Sequence, residues 1–360
     1  MGYNIANVNV LYIFYFYLKP MKESYSYKAL SDKKVQCLTC AQRCFILPEK
    51  FGLCGVRKNV DGKLYALNYG MVMSQSIDPI EKKPLFHFLP GTDSFSFACV
   101  GCNLSCGNCQ NWQLSQTVKQ DKALLEAGTE TKPEEIVTSA LKNGCPSISY
   151  TYTEPTIFLE FALDTMRIAQ KRGLKNVWVS NGYMTPETLE MAIPYLDAIN
   201  VDIKSFDDVF YRQHCGARVG PVLENCKALK KAGVWVEITT LVIPGLSDDE
   251  IMLRQIADFI YRELGSETPW HLSAFFGGVS WKMRTVPDTS AETIKRSCEI
   301  GQEAGLKYVY GGNLAMETEE NTYCPDCGTL CISRSGFRIE RMDENGKCRN
   351  CKRPLDIISK

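Results

Sequence analysis

The spacing of three cysteines constrains this chain more than any other feature. Cys102, Cys106 and Cys109 form a C-x3-C-x2-C loop, which offers three thiolates from one short segment and no fourth ligand in the same register. A 4Fe–4S cluster normally takes four cysteines, so a cluster held by three keeps one iron open. An open position is what separates a catalytic metal site from a structural one. Three structural cysteines or half of a zinc site are the alternative, and the spacing favours the catalytic interpretation.

The length and composition of the chain indicate the size of its domains and the compartment in which it works. A chain of 360 residues is too long for one ordinary core and suits a barrel-sized domain of about 200–250 residues with smaller modules. The 41 basic and 41 acidic residues balance, so no net field draws the protein to nucleic acid or to a membrane. The 17 cysteines fall in clusters with metal-ligand spacing rather than in a disulfide framework. We therefore predict a reducing compartment, the cytoplasm.

The first 34 residues are predicted to be an N-terminal extension, either disordered or a mis-assigned start upstream of Met21. Their apolar run, Val8 to Leu18, is shorter than the ~20 residues that a membrane helix needs. It also lacks the basic start and the small-residue cleavage site of a signal peptide. No membrane association is expected.

Residues 35–92 are predicted to form a small cysteine-rich module and a connector. The module carries Cys37, Cys40, Cys44 and Cys54, and it is too small to bury a core of its own. A metal or the neighbouring domain must therefore hold it; zinc, a second cluster and no metal all remain open. Prolines punctuate the stretch from Ile77 to Gly91, which predicts an extended connector rather than a long helix.

Residues 93–315 alternate between strand-like and helix-like segments. The predicted strands are Ser94–Val100, Ser147–Tyr152, Asn176–Ser180, Ala198–Ile203, Val234–Val242 and Trp270–Phe275, with a further apolar run at Tyr308–Tyr310. The predicted helices are Pro133–Asn143, Pro155–Arg172, Pro186–Ala192, Val219–Ala232 and Asp248–Glu263. Strand–helix pairs in succession imply parallel strands joined by right-handed crossovers, and hence an α/β open sheet or barrel.

Residues 316–360 are predicted to form a zinc-ribbon-like module. Two C-x2-C knuckles, Cys324 with Cys327 and Cys348 with Cys351, have the separation of a four-cysteine zinc site. Zinc would stabilise such a small module by ~10–16 kcal/mol. A second iron–sulfur cluster is the alternative, and Cys331 is left over.

Polar residues gather where the predicted strands of the barrel end or begin. Glu154 and Asn181 follow the second and third strands, Asp202 lies on the fourth, and His271 lies at the start of the sixth. Each residue has a structural explanation of its own. Glu154 would favour the start of a helix, Asp202 can pair with Lys204, and His271 can be a satisfied core histidine. Because chemistry in parallel barrels collects at the carboxyl ends of the strands, their joint placement favours function.

Taken with these motifs, the chain resembles the radical SAM (S-adenosylmethionine) enzymes of the AmmeMemoRadiSam system, relatives of the pyruvate formate-lyase activating enzymes. The resemblance spans about Val35 to the end. It rests on the C-x3-C-x2-C loop, the N-terminal cysteine pattern with Gly55-Val56-Arg57, Ile77 to Gly91, Cys109 to Ser115, Tyr150 to Phe158, Pro269-Trp270-His271 and the C-terminal C-x2-C pair.

The resemblance implies a partial (β/α)6 barrel and the reductive cleavage of SAM to a 5′-deoxyadenosyl radical that abstracts hydrogen from a substrate. It implies that Cys102, Cys106 and Cys109 hold the 4Fe–4S cluster, that Glu154 holds the SAM amino group, and that Asn181, Asp202 and His271 approach SAM. The chain departs from the family's Gly-Gly-Glu-Pro element by having Tyr152 and Thr153 at the glycine positions. An electron donor such as a ferredoxin or flavodoxin is the expected partner.

Three functional hypotheses follow. The leading one is a radical SAM enzyme whose substrate, a small molecule or a protein, is unassigned. A second, within the same chemistry, is an activase that installs a glycyl radical in a partner enzyme. The third, of another class, is an iron–sulfur or zinc scaffold or a nucleic-acid-binding protein. The balanced charge weakens it, because phosphate contacts supply most nucleic-acid affinity.

Overall fold

The computed structural model describes residues 21–314, 319–336 and 338–359, and the apolar run Val8 to Leu18 lies outside them. The strands fall into four sheets. They are β1 (Lys22–Glu23), β2 (Tyr27–Ala29), β3 (Val35–Cys37), β4 (Phe45–Ile46), β5 (Arg57–Val60), β6 (Lys63–Ala66), β7 (Met71–Pro79), β8 (Asp93–Cys99), β9 (Thr129–Glu130), β10 (Ser147–Tyr150), β11 (Lys175–Ser180), β12 (Ala198–Asp202), β13 (Trp235–Val242), β14 (Trp270–Ala274), β15 (Val309–Gly312), β16 (Thr322–Tyr323), β17 (Leu330–Ser335) and β18 (Arg338–Arg341).

The helices of the described residues lie mainly between the strands of the large sheet. They are α1 (Trp112–Ser115), α2 (Pro133–Lys142), α3 (Leu159–Lys171), α4 (Pro186–Ala192), α5 (Asp208–Phe210), α6 (Val219–Lys231), α7 (Glu250–Phe259) and α8 (Ala291–Glu303). Two π-helical turns, Tyr211–Cys215 and Ile260–Leu264, extend α5 and α7. Proline at the first position of α2 and α4 costs no hydrogen bond, because that N–H has no partner within the helix.

The large sheet has the strand order β15-β14-β13-β12-β11-β10-β8-β7-β9. From β8 to β15 its seven paired strands are parallel, whereas β7 joins β8 antiparallel. The six predicted strands are confirmed, and β15 matches the apolar run predicted near Tyr308. Helix α8, between β14 and β15, was not predicted from the sequence. The predicted α/β architecture with a parallel sheet is confirmed.

The two faces of the sheet differ in polarity because side chains alternate along each strand. Phe95 and Phe97 of β8, with Ile148 and Tyr150 of β10, belong to the main apolar core beneath the helices. The residues between them face the other side, the interior of the barrel, and are small and polar: Ser94, Ser96, Ser147 and Ser149, all fully buried. On these two strands the inner wall of the barrel is therefore polar.

The predicted N-terminal extension ends earlier than residue 34. Strand β1 pairs with β6, and β2 pairs with β3, so residues 22–29 belong to the cysteine-rich module. They are held to the barrel by Glu160 of α3, whose carboxylate accepts hydrogen bonds from Ser24 Oγ (3.1 Å) and from the backbone N–H of Tyr25 (3.0 Å). These polar contacts could not be read from the sequence, because their partner lies more than 130 residues away.

The connector and the C-terminal module close one end of the barrel. After β7 the chain makes a short 3-10 turn, Ile80–Lys82, and the backbone N–H groups of Phe86 and His87 donate to the Glu237 carboxylate, each at 2.9 Å. The C-terminal module, with strands β16 to β18, docks on the same segment, since Ile358 exchanges backbone hydrogen bonds with His87 and Leu89. The connector thus links the C-terminal module to the barrel.

Among the described residues, no helix is both long and apolar enough to cross a membrane.

The buried ion pair between Arg57 and Glu160 joins the N-terminal module to α3. The two side chains are each 1% exposed and bind through two hydrogen bonds of 2.9 and 2.8 Å. Removing one member leaves an uncompensated buried charge, so we expect Glu160→Ala to lower the free energy of unfolding by about 3–5 kcal/mol. Urea denaturation followed by tryptophan fluorescence measures this.

Glu187→Ala is the matched control. Glu187 is also the second residue of its helix, but its ion pair with Arg43 is exposed, and we expect a loss of about 0–1 kcal/mol. Equal losses in the two variants would show that the buried pair does not fasten the module.

Candidate metal and cofactor site

The cysteine loop begins where β8 ends, at the carboxyl edge of the parallel strands. Gly101 has φ +107°, and a Cβ atom there would lie 2.7 Å from Val56 Cγ1. Only glycine fits both the conformation and the close approach of the N-terminal module. The backbone N–H of Gly101 donates to the Leu114 carbonyl at 3.0 Å, so the loop starts in a fixed direction.

A second segment, the π-helical turn after α5, holds the middle of the loop. The N–H of Ser105 donates to the Cys215 carbonyl (2.8 Å), and that of Gly107 donates to the His214 carbonyl (3.0 Å). The Lys119 ammonium donates to the Leu104 carbonyl at 2.6 Å. These contacts hold the loop through its backbone N–H and carbonyl groups rather than through the three cysteine side chains.

The three thiols of the loop lie in a mostly buried setting. Burial and the nearby Glu154 carboxylate raise the pKa of Cys102, and burial raises the pKa of Cys109. A hydrogen bond with Cys215, followed by burial, raises the pKa of Cys106. Without a metal these thiols are therefore protonated at neutral pH, and an ion that binds them must displace protons.

Glu154 lies four residues after the end of β10 and is 2% exposed. Its Oε1 accepts hydrogen bonds from the Thr156 N–H and hydroxyl and from Ser180 Oγ, and its Oε2 accepts one from the Asn181 N–H at 2.8 Å. Burial raises the pKa of this carboxyl group. Because a carboxylate oxygen can accept more than one hydrogen bond, Oε2 keeps room for a further donor.

Asn181 connects this carboxylate to the cysteine loop. Its Nδ2 donates to Asn103 Oδ1 at 2.8 Å and lies 3.7 Å from Cys102 Sγ. The next residue, Gly182, has φ +69°, and a Cβ there would lie 2.8 Å from Val201 Cγ1. The structure therefore brings together Cys102, Glu154 and Asn181, three of the residues predicted from the sequence.

Asp202, the last residue of β12, forms an ion pair with Lys204 at 3.0 Å. Although burial acts to lower it, the pKa of Lys204 is raised by Asp202 and next by the nearby Cys106. Asp202 ends its strand, so the pair lies at the same carboxyl edge of the sheet as the cysteine loop. The structural role considered for Asp202 is present, and its approach to SAM stays a prediction.

His271, the second residue of β14, is held in a different group of residues. Its Nε2 lies 2.7 Å from Glu237 Oε2, and its ring meets Phe86 edge-on and stacks on Tyr310. These partners belong to the end of the barrel that the connector closes. The core-histidine explanation accounts for these contacts, and a contact with SAM stays a prediction.

Two further groups of four cysteines flank the barrel. In the C-terminal module Cys324, Cys327, Cys348 and Cys351 have their Sγ atoms within 4.8 Å of one another, an arrangement that can hold a single metal ion. In the N-terminal module Cys37, Cys40, Cys44 and Cys54 line one pocket. All the cysteines are free of disulfides.

The loop fits a cluster with three protein ligands. Cys102, Cys106 and Cys109 supply soft thiolate donors from one short segment, and the backbone N–H of Leu104 donates to Cys102 Sγ at 3.4 Å. Asn108, between the last two cysteines, has a buried side-chain oxygen without a partner. The chemistry of the donors fits such a cluster, and that these three thiols hold it stays a prediction.

Sequence reasoning missed Cys215, Asn103 and Lys119, which lie around the loop. Cys215 contacts Cys106, and its pKa is lowered chiefly by that hydrogen bond. As an isolated cysteine more than 100 residues from the loop, it carries no signal in the sequence. Asn103 lies inside the motif, where its position next to Cys102 was a usable signal.

The sequence is similar to a known protein family. Residues 98–256 match the sequence model described as the radical SAM superfamily. An uncharacterised protein of Methanocaldococcus jannaschii is 46% identical over 94% of this chain and 100% of its own length.

Two named enzymes are more distant relatives. The isethionate sulfite-lyase activating enzyme of Nitratidesulfovibrio vulgaris is 27% identical, and the match covers 44% of this chain and 54% of that enzyme. The pyruvate formate-lyase 1-activating enzyme of Escherichia coli is 23% identical, with 58% of this chain and 89% of the enzyme covered.

Proposed function

The chain belongs to the radical SAM superfamily and is an enzyme of that superfamily, and we propose that Cys102, Cys106 and Cys109 hold its 4Fe–4S cluster while Glu154 binds SAM. The observation that carries this proposal is the convergence of Cys102, Glu154 and Asn181 at the carboxyl edge of the strands. The Asn181 N–H donates to Glu154 Oε2 at 2.8 Å, and its Nδ2 lies 3.7 Å from Cys102 Sγ. The substrate is unassigned.

The cluster and SAM, when bound, supply a 5′-deoxyadenosyl radical that abstracts hydrogen from the substrate. The chain's residues prepare for this in three ways. Glu154 Oε2 keeps acceptor capacity for the SAM amino group. Asn181 and the Leu104 N–H (3.4 Å) donate toward Cys102 Sγ, which stabilises the thiolate form that a metal needs. Cys106 is buried and Cys102 and Cys109 are half-buried, which limits the access of water to a group bound there.

The finer assignments also belong to this proposal. Membership of the AmmeMemoRadiSam system rests on the sequence motifs from Val35 to the end. A ferredoxin or flavodoxin is the proposed electron donor, because the cleavage of SAM consumes one electron. The free thiols suit a reducing compartment, the cytoplasm. Asp202, the last residue of β12, is also proposed to approach SAM. For His271 that approach rests on the resemblance alone, because Glu237 holds its ring at the end of the barrel that the connector closes.

A second candidate is the activation of a glycyl-radical enzyme. The observation that favours it is the similarity to two activating enzymes. Such an activase needs a partner protein that brings a backbone glycine to the site. Production of 5′-deoxyadenosine only when such a partner is present would favour it over an enzyme for small molecules.

The test of the main proposal is anaerobic. The protein is reconstituted with iron and sulfide, mixed with SAM and a strong reductant, and assayed for 5′-deoxyadenosine by chromatography. We expect product from the wild type and none from a variant with all three loop cysteines changed to alanine. A wild type that carries the cluster and makes no product would contradict the proposal.

Glu154→Ala should weaken SAM binding. Losing a charge-assisted hydrogen bond costs roughly 1.5–3 kcal/mol, which corresponds to about 10- to 150-fold in affinity, while the iron content stays unchanged. Calorimetry with SAM on the reconstituted protein measures this.

Glu154→Gln is the second variant, because alanine leaves Ser180 and the Asn181 N–H without their acceptor. Glutamine keeps an acceptor oxygen and removes the charge. Glu187→Ala, on an exposed glutamate, serves as the control. Wild-type SAM affinity in both Glu154 variants would rule out this role.

Zinc is the ion that we propose for the C-terminal module. Cys324 Sγ lies 3.5 Å from Cys351 Sγ, and Cys327 Sγ lies 3.6 Å from Cys348 Sγ. These separations are close to the roughly 3.8 Å between thiolates in a tetrahedral zinc site with Zn–S bonds of about 2.3 Å. A single small ion therefore suits the four thiols.

We expect about one zinc per chain by elemental analysis, and its loss in Cys324→Ala. Cys331→Ala is the matched control, since Cys331 is buried in the same module but lies outside the group of four. Iron in place of zinc, or zinc retained in Cys324→Ala, would be the contrary result.

A further inference from the structure

The four cysteines of the N-terminal module enclose a site that the barrel's own chemistry does not use. Cys37, Cys40, Cys44 and Cys54 line one pocket together with Arg57, whose side chain is 1% exposed. Cys37, Cys40 and Cys54 are buried and Cys44 is half-buried. Four thiols facing one buried pocket supply the full donor set of a metal centre.

The spacing of the thiols distinguishes between the possible metals. A single zinc ion draws four thiolates to roughly 3.8 Å from one another, because each Zn–S bond is about 2.3 Å long. A four-iron cluster spreads its thiolates more widely, since each binds a different iron. Among the described residues, the C-terminal cysteines alone bring three or more ligand atoms within 4.8 Å. The N-terminal four share one pocket, and no three of their Sγ atoms all lie within 4.8 Å of one another.

A buried donor without a partner points to the same ligand. Arg57 binds Glu160 through both terminal nitrogens, but its Nε is buried and has no hydrogen-bond partner. An unpaired buried N–H is costly. The sulfur atoms of an iron–sulfur cluster accept such hydrogen bonds, so a cluster in this pocket would supply the missing acceptor. Lys119 and Lys122 add positive charge near Cys54.

The pocket adjoins the catalytic loop. Asn103, the neighbour of Cys102, lines it, and the Gln42 side chain from the cysteine module donates to the Asn103 carbonyl at 3.1 Å. The Ala41 N–H donates to the carbonyl of Tyr183, two residues after Asn181. The N-terminal module therefore packs directly against the loop.

We propose that Cys37, Cys40, Cys44 and Cys54 hold a second 4Fe–4S cluster, fully ligated by thiolates, beside the loop of Cys102, Cys106 and Cys109. With four protein ligands this cluster has no open iron, and it does not bind SAM. It goes beyond the proposed function, which needs the three-cysteine cluster alone.

Metal counting on the full-length protein tests the inference. After anaerobic reconstitution we expect about eight irons and eight sulfides per chain, beside the zinc of the C-terminal module. The Cys37→Ala/Cys54→Ala double variant should lose half of the iron, and the variant with all three loop cysteines changed to alanine should lose the other half. Cys226→Ala, at a buried cysteine of the barrel core, should lose none.

Four irons in the wild type would overturn the inference, whether accompanied by one zinc or by two. Paramagnetic resonance of the reduced protein provides a readout that does not depend on folding of the variants. Two cluster signals are expected, and added SAM should shift only one of them. If neither signal shifts, the proposed function fails while the second cluster stands. A single cluster signal, whether or not SAM shifts it, would overturn the second cluster.

Discussion

Two buried carboxylates, Glu160 and Glu237, fasten the N-terminal module and the connector to the barrel. Glu160 binds Arg57, Ser24 and the Tyr25 N–H, and so fixes the N-terminal module. Glu237 accepts the N–H groups of Phe86 and His87 and lies beside His271, and so fixes the connector on which the C-terminal module docks. A buried charge is tolerated only when its hydrogen bonds are complete. Both carboxylates meet that condition through partners far along the chain.

The two ends of the barrel differ: the candidate site lies at the carboxyl ends of the strands, and the contacts of the connector lie at the other end. The strands are parallel, so their carboxyl ends meet at one edge, where the cysteine loop, Glu154 and Asn181 gather. The connector and the C-terminal module close the barrel through Glu237, Phe86 and His87. The first edge carries thiols and hydrogen-bond acceptors for bound groups. The second carries a self-contained network, in which burial lowers the pKa of His87 to about 4 and keeps its ring neutral.

The sequence predicted most of the barrel because each strand and helix carries a local signal. The six strands and the helices that begin at proline were found within a few residues of their observed ends. Helix α8 was missed, although Ser290 at its N-cap is a helix-start signal, because few apolar residues mark its buried face. Residues 22–29 were assigned to an extension because their strands are short and their stabilising partner, Glu160, is distant.

For the candidate site, the sequence by itself determined the kinds of ligand: three thiols at C-x3-C-x2-C spacing, a glutamate before Pro155 and two further sets of four cysteines. These are local patterns set by the chemistry of metal ligands and of helix starts. Only the tertiary structure decided which of them meet. It brought Asn181 to Cys102 and Glu154, placed His271 against Glu237, and set Cys215 beside Cys106. It also gave the two four-cysteine sets different spacings. Such contacts depend on how distant segments pack, and no local pattern in the sequence encodes that packing.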